Sequence, residues 1–202
     1  MTRNALIFVT ALVLASCSDN ENRADTSEAE QTTAPEADTV PTIDVGLAIG
    51  ETVPLQAKFA TTDGETTLAN VLKDGPAVLI FTRSVKWCPF CQSQLKGLGE
   101  IASNLEQRGY NLYGISYDSA ESQDRFLKNQ MLDYKMLSDE SSAAIDAFGL
   151  RDPQYTEGEA VGVPYASIII VDKNGTITGK SVSGDYTKRP SNDQILAMVD
   201  AI

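Results

Sequence analysis

Residues 84–93 read Ser-Val-Lys-Trp-Cys-Pro-Phe-Cys-Gln-Ser, and no other stretch restricts the chain as much. Before it, Pro76-Ala77-Val78-Leu79-Ile80-Phe81 is a continuous apolar run after a Gly-Pro turn, as in a central strand buried on both faces. After it, Leu95, Leu98, Ile101, Ala102 and Leu105 recur at helical spacing, and Gly109 suits the end of that helix. Cys88 and Cys91 therefore occupy a turn from an interior strand into a helix. Pro89 falls at the first helical position, where its missing N–H forfeits no hydrogen bond. There Cys88 faces the free amides and the positive end of the helix dipole, which favour a thiolate. Cys91, one turn further in, is close enough to form a disulfide and more deeply packed. An outer attacking sulfur and an inner resolving one are expected.

The rest of the chain continues the alternation. Tyr110 to Tyr117 reads as a second strand, and Ser119 as the N-cap of a helix carrying Phe126, Leu127 and Met131. Met136-Leu137-Ser138-Asp139 precedes a shorter helix from Ser142 to Phe148. Ala166–Val171 and Thr176–Val182 form a hairpin around Asp172-Lys173-Asn174-Gly175, and an amphipathic helix bearing Ile195, Leu196, Val199 and Ile202 closes the chain. The fold class is α/β: three layers, with a mixed central sheet covered by helices on both faces.

Composition narrows the chemistry. The 202 residues include no histidine, which excludes Ser-His-Asp and Cys-His triads, His-ligated haem and Cys/His zinc sites. With no second C-x-x-C either, no metal or cofactor is expected. A net charge of −12 argues against nucleic acid. A purely structural Cys88–Cys91 bridge closes so short a loop that it stabilises little. A redox pair is the reading left standing, consistent with C-x-x-C in an α/β pattern. Trp87 reads as a packing residue beside it. Arg83 and Lys86 read as solvent-facing residues whose charge lowers the Cys88 pKa.

The first 45 residues have a different character. Arg3 precedes an apolar run from Ala5 to Ala15, too short to span a membrane but suited to a secretory signal. Leu14-Ala15-Ser16-Cys17 resembles the lipoprotein box of bacterial exported proteins, which implies cleavage before Cys17 and acylation of that residue. Residues 18–45 hold eight acids, one arginine and two prolines, with almost no large apolar residue before Val40. They read as a disordered tether of roughly 30 Å. The expected organisation is residues 1–17 as signal peptide, 18–45 as acidic tether and 46–202 as the folded domain. The expected location is a membrane surface facing the periplasm or cell exterior, with contact through the lipid alone. Ser18 after the acylated residue resembles the outer-membrane pattern.

Phe81 to Leu95, with Trp87-Cys88-Pro89-Phe90-Cys91-Gln92-Ser93-Gln94-Leu95 at its heart, resembles the W-C-P-[FY]-C-x-x-Q-L signature of peroxiredoxin-like redoxins. These belong to the alkyl hydroperoxide reductase/thiol-specific antioxidant (AhpC/TSA) family and have the thioredoxin fold. The likeness runs from about Ile49 to Gly175. It takes in Gly64 before Leu68, Gly114-Ile115-Ser116-Tyr117-Asp118, Leu137-Ser138-Asp139, Phe148-Gly149 and Val171-Asp172-Lys173-Asn174-Gly175.

The resemblance implies a hydroperoxide substrate, attack by Cys88, resolution by Cys91 and recycling by a thioredoxin-like dithiol donor. The chain also departs from the family. Where typical peroxiredoxins place proline and Thr or Ser, seven and three residues before the attacking cysteine, it has Phe81 and Val85, with Ser84 the nearest substitute. Ala166 stands where a second arginine is usual, leaving Arg83 to supply a guanidinium. Pro164 is positioned either as a loop proline or as the cis-proline of thioredoxin-like reductases. Two further readings therefore stay open: a thiol-disulfide oxidoreductase acting on protein disulfides, and a non-catalytic redoxin-like binding module.

Overall fold

A computed structural model describes residues 40–202. In chain order its elements are β1 (Lys58–Thr61), β2 (Gly64–Thr67), α1 (Leu68–Val71), β3 (Ala77–Phe81), α2 (Pro89–Gln107) and β4 (Asn111–Ser116). There follow α3 (Ala120–Gln130), β5 (Lys135–Ser138), α4 (Ala143–Ala147), β6 (Ser167–Val171), β7 (Ile177–Val182) and α5 (Asn192–Asp200). The sheet order is β2-β1-β5-β4-β3-β6-β7. β3 lies inside it, parallel to β4 and antiparallel to β6.

All five residues of β3 are buried, as its unbroken apolar run requires. Successive side chains leave a strand on opposite faces, so Ala77, Leu79 and Phe81 join one core and Val78 and Ile80 the other. The first core holds Leu68 and Val71 of α1 and Ala144 and Ile145 of α4. The second holds Leu95, Leu98, Ile101 and Leu105 of α2 with Ile195 and Val199 of α5. This is the three-layer arrangement expected. Because α2 is packed along its length under the sheet, its N-terminus is held at the end of β3.

The helix ends follow their capping chemistry. Ser119 Oγ accepts from Ser122 N at the start of α3. Ser191 and Gln194 form a reciprocal capping box on α5. Gly109 takes a φ of 80° beyond α2, a left-handed conformation open to glycine.

Three expectations change. Met131 is not on the apolar face of α3: it sits past the last turn in a left-handed conformation and is 91% exposed. Ile202 follows α5 and is 55% exposed, so the buried stripe stops at Val199. The domain boundary at residue 46 falls inside packed structure. Thr42 bridges Ser183, Ile43 N donates to Val182 O at 3.0 Å, and Ile43 and Val45 pack on the first core. The apolar residues that begin at Val40 add a strap along β7, so the last residues assigned to the tether belong to the fold. The residues expected to form the signal peptide, Cys17 and most of the expected tether lie outside the described residues.

Candidate active site

Cys88 and Cys91 are joined as a disulfide with 5.2 Å between Cα atoms. Cys88 is the N-cap of α2, in extended conformation, and Pro89 opens the helix. Cys88 Sγ accepts from Cys91 N at 3.3 Å, and Cys88 O accepts from Gln92 N at 3.0 Å. The capping sulfur thus meets an amide that a helix N-terminus leaves unpaired. Cys91 N is one of the free amides expected at Cys88 from the sequence. The expected exposure difference does not hold: Cys88 is 1% exposed and Cys91 0%. Both are buried, so the asymmetry of this pair lies in its hydrogen bonds.

The loop entering α2 is fixed by one buried carboxylate. Asp118, just past β4, accepts from Ser84 Oγ at 2.7 Å through Oδ1 and from Val85 N at 2.7 Å through Oδ2. Ser116 Oγ donates to the same Oδ2 at 2.8 Å. Ser84 Oγ in turn accepts from Lys86 N at 2.9 Å and Trp87 N at 3.4 Å. Gln92 of α2 reaches back, donating from Nε2 to Val85 O at 2.8 Å. Ser84 therefore spends its hydroxyl on Asp118 and shapes the turn, rather than standing in for a sulfur-facing hydroxyl. Asp118 went unassigned in the sequence, although it closes the Gly114–Asp118 motif.

Trp87 is half-buried, and its Nε1 donates to Tyr117 Oη at 2.9 Å; that hydroxyl donates to Glu159 O at 2.6 Å. Lys86 is exposed, as expected. Arg83 is not: it is only 5% exposed. Its guanidinium carbon lies 5.0 Å from the Trp87 ring centroid, 4.5 Å from Tyr155 and 4.0 Å from Tyr186. Aromatic faces attract a cation through their quadrupole and cover the rest of the side chain. Tyr155 and Tyr186 are remote in sequence, so a solvent-facing default could not anticipate them. Arg83 Nε is buried and has no hydrogen-bond partner.

A second guanidinium enters from the loop between β7 and α5. Arg189 Nη2 donates to Cys91 Sγ at 3.4 Å, Nη1 to Gln94 Oε1 at 3.0 Å and Nε to Tyr186 O at 2.7 Å. Burial, reinforced by the charge of Arg83, pushes the Arg189 pKa down to about 10, which still leaves it cationic at neutral pH. Sequence reasoning missed this residue. It stands 98 positions from Cys91 in a polar stretch that reads as an ordinary loop.

Pro164 does not adopt the cis form: every described peptide bond is trans. It is buried and forms an isolated bridge with Arg151. That pairing sets it in a short antiparallel contact before β6, the role of an ordinary loop proline. Ala166, at the usual arginine position, is 4% exposed and carries no charge to the site.

The paired cysteines, with an amide donating to one sulfur and the Arg189 guanidinium to the other, form an arrangement suited to thiol–disulfide chemistry. Comparison with known proteins agrees. The chain is 24% identical over 172 residues to the maize 1-Cys peroxiredoxin PER1, covering 78% of this chain and 74% of that protein. It is 26% identical over 151 residues to Peroxiredoxin Bcp of Escherichia coli K12, covering 74% and 94%. Reduced Prx3 of Vibrio vulnificus, solved in complex with hydrogen peroxide, superposes with a TM-score of 0.67 at 21% identity, covering 76% of this chain and 99% of that one. The pattern of the AhpC/TSA family itself matches residues 49–180, spanning both strands around the cysteines and the hairpin. On that match, with the paired cysteines where the fold requires them, the chain belongs to the AhpC/TSA family and is a thiol-based oxidoreductase.

Proposed function

We propose that the protein reduces hydroperoxides, with Cys88 meeting the oxidant and Cys91 closing the cycle. The observation that carries the reading is the capping geometry of Cys88. Its sulfur accepts an amide at the start of a 19-residue helix, beside a loop carrying a buried arginine. Family membership makes peroxide reduction the activity to derive. The Cys88 thiolate attacks one oxygen of the peroxide. The O–O bond breaks, an alcohol or water leaves with a solvent proton, and Cys88 becomes a sulfenic acid. Cys91 displaces its hydroxyl to give the disulfide and water. A thioredoxin-like dithiol then returns both cysteines to thiols and becomes oxidised itself.

The trans form of Pro164 removes one of the features that pointed to a protein-disulfide reductase, while Val85 and Ala166 still stand where the family's usual Thr or Ser and arginine are missing. The test is Cys91→Ser. After peroxide treatment it should hold a sulfenic acid on Cys88, detectable by dimedone labelling and mass spectrometry, and Cys88→Ser should hold none. A mixed disulfide with a protein substrate, and no peroxide adduct, would replace this reading with the reductase.

Residues 14–17 support a second element of the proposal, acylation at Cys17 after removal of residues 1–16. The peroxidase then works at a membrane surface facing the periplasm or cell exterior, on an acidic tether. Cys17→Ser should release the protein into the soluble fraction with its turnover intact; retention in the membrane would refute the anchor.

A further inference from the structure

The two sulfurs of the disulfide are not served by the same groups. Cys88 Sγ accepts from a backbone amide, Cys91 N at 3.3 Å. Cys91 Sγ accepts from a side chain, Arg189 Nη2 at 3.4 Å. That guanidinium is held in its plane by two further bonds, from Nη1 to Gln94 Oε1 at 3.0 Å and from Nε to Tyr186 O at 2.7 Å. Gln94 belongs to α2, three residues beyond Cys91, so one wall of the arginine's seat moves with the cysteine it touches. Phe90, between the cysteines, meets Tyr186 edge-on with 5.8 Å between ring centroids, which fastens the same loop to the motif.

The charges facing this point are few. Arg83, from the loop before α2, repels Arg189, while the half-buried Asp185, on the arginine's own loop, attracts it. Among the described ion pairs, neither guanidinium has a carboxylate within salt-bridge distance. Arg83 is buried and Arg189 half-buried, and withdrawing two neighbouring cations from water without an anion is unfavourable. In the disulfide the sulfurs are neutral. In the dithiol, a thiolate on Cys91 supplies the missing negative charge.

We propose that Arg189 is a catalytic residue of disulfide closure and reduction, stabilising Cys91 Sγ as an anion through Nη2. The inference rests on the peroxidase reading for the oxidising half of the cycle and on thiol exchange alone for the reducing half. In closure, the Cys91 thiolate attacks Cys88 Sγ. The S–S bond forms, the S–O bond breaks, and hydroxide leaves to take a proton from solvent. In reduction, a donor thiolate attacks Cys88 Sγ and the electron pair of the broken S–S bond passes to Cys91. A leaving thiol of lower pKa leaves faster, so the donor is directed to Cys88. The second donor thiol then displaces Cys88 from the mixed disulfide, leaving the donor oxidised. One guanidinium thus serves both directions.

The experiment uses the full chain carrying Cys17→Ser, with wild-type Arg189, Arg189→Met or Arg189→Lys. The acidity of Cys91 is read in the Cys88→Ser background, from the pH dependence of iodoacetamide alkylation of the Cys91 peptide by mass spectrometry. An opposite charge at this range shifts a pKa by roughly one to three units, so Arg189→Met should raise the Cys91 value by at least about one. With both cysteines present, Trp87 fluorescence follows the peroxide phase and the closure phase separately. The closure phase should be about tenfold slower at pH 7, recovering as pH rises through the new Cys91 pKa. Arg189→Lys, which keeps the charge but not the fork, should fall between.

Reduction by dithiothreitol should slow in the same order. If Cys91 titrates alike in all three proteins, the inference is overturned, whatever the peroxide phase does. If peroxide fails to oxidise Cys88 but the Cys91 pKa and dithiothreitol rates follow Arg189, the peroxidase reading falls and the reducing half of this inference stands.

Discussion

Two loops each bring an arginine to the segment that carries the cysteines, Arg83 onto the Trp87 ring and Arg189 onto Cys91, and they are built in opposite ways. The loop before α2, residues 82–88, is buried and centred on the Asp118 carboxylate, which accepts from Ser84 Oγ, Val85 N and Ser116 Oγ. It delivers Arg83 into three aromatic rings with no hydrogen bond at Nε. The loop after β7, residues 183–191, is mostly half-buried or exposed and holds itself by short local bonds. Ser183 Oγ lies 2.6 Å from Asp185 O and 2.7 Å from Lys188 O, and Asp185 Oδ1 accepts from Thr187 N at 2.9 Å and Thr187 Oγ1 at 2.7 Å. It delivers Arg189 onto a sulfur. The first loop is part of the folding core, whereas the second is a latch laid over it. Its arginine can therefore be altered with less risk to the fold.

Asp118→Ala should have the largest effect. It strands three buried donors, and hydrogen bonds to a charged acceptor are each worth about 1.5–3 kcal/mol, so a loss of about 3–5 kcal/mol is expected after partial relaxation. Urea unfolding of the oxidised protein measures it. Asp185→Ala removes the corresponding carboxylate of the outer loop and should lower the same midpoint far less. Its effect should appear as faster hydrogen exchange at the Thr187 amide. Comparable losses from the two changes would erase the distinction between core and latch.

Acid should act on the outer loop in the same sense, and least of all. The Thr187 backbone N–H, then its hydroxyl, hold the Asp185 carboxyl below the usual carboxylate range. A depressed folded pKa stabilises above the unfolded value and loses that contribution as pH falls through the folded one. Protection at Thr187, the exchange rate relative to that of an unstructured amide at the same pH, should therefore fall only below the ordinary carboxylate range. A change in that protection between pH 6 and 8 would contradict the assignment.

The comparison also explains what the sequence could reveal. The turn from β3 into α2 was legible because its determinants are local: an apolar run, a proline at the first helical position, helical spacing and a closing glycine. The hairpin of β6 and β7 was legible through Asp172-Lys173-Asn174-Gly175 for the same reason. Arg83 was placed in solvent because Tyr155 and Tyr186, which cover it, arrive through loops far along the chain. Asp118 was visible within Gly114–Asp118, but its grip on Ser84 and Val85 depends on β3 and β4 running parallel, which brings their C-terminal ends together. Arg189 carried no local signal, since Thr187-Lys188-Arg189-Pro190 reads as polar chain before the Ser191 cap. Ala166 marks where the family's usual arginine is missing, yet nothing in its neighbourhood says from where another guanidinium comes.

The central claim is that Cys88 is a poised sulfur anion that peroxide oxidises directly. Rapid mixing of the reduced Cys17→Ser protein with hydrogen peroxide, followed through Trp87, the chain's one tryptophan, tests it most directly. Ionisation alone gains little, because a more acidic thiolate is a weaker nucleophile, whereas donors fixed around the reacting atoms are worth about 100-fold or more. The predicted result is oxidation at least about 100-fold faster than that of free cysteine at pH 7, lost in Cys88→Ser. A rate equal to that of free cysteine, or one indifferent to Cys88, would contradict the account.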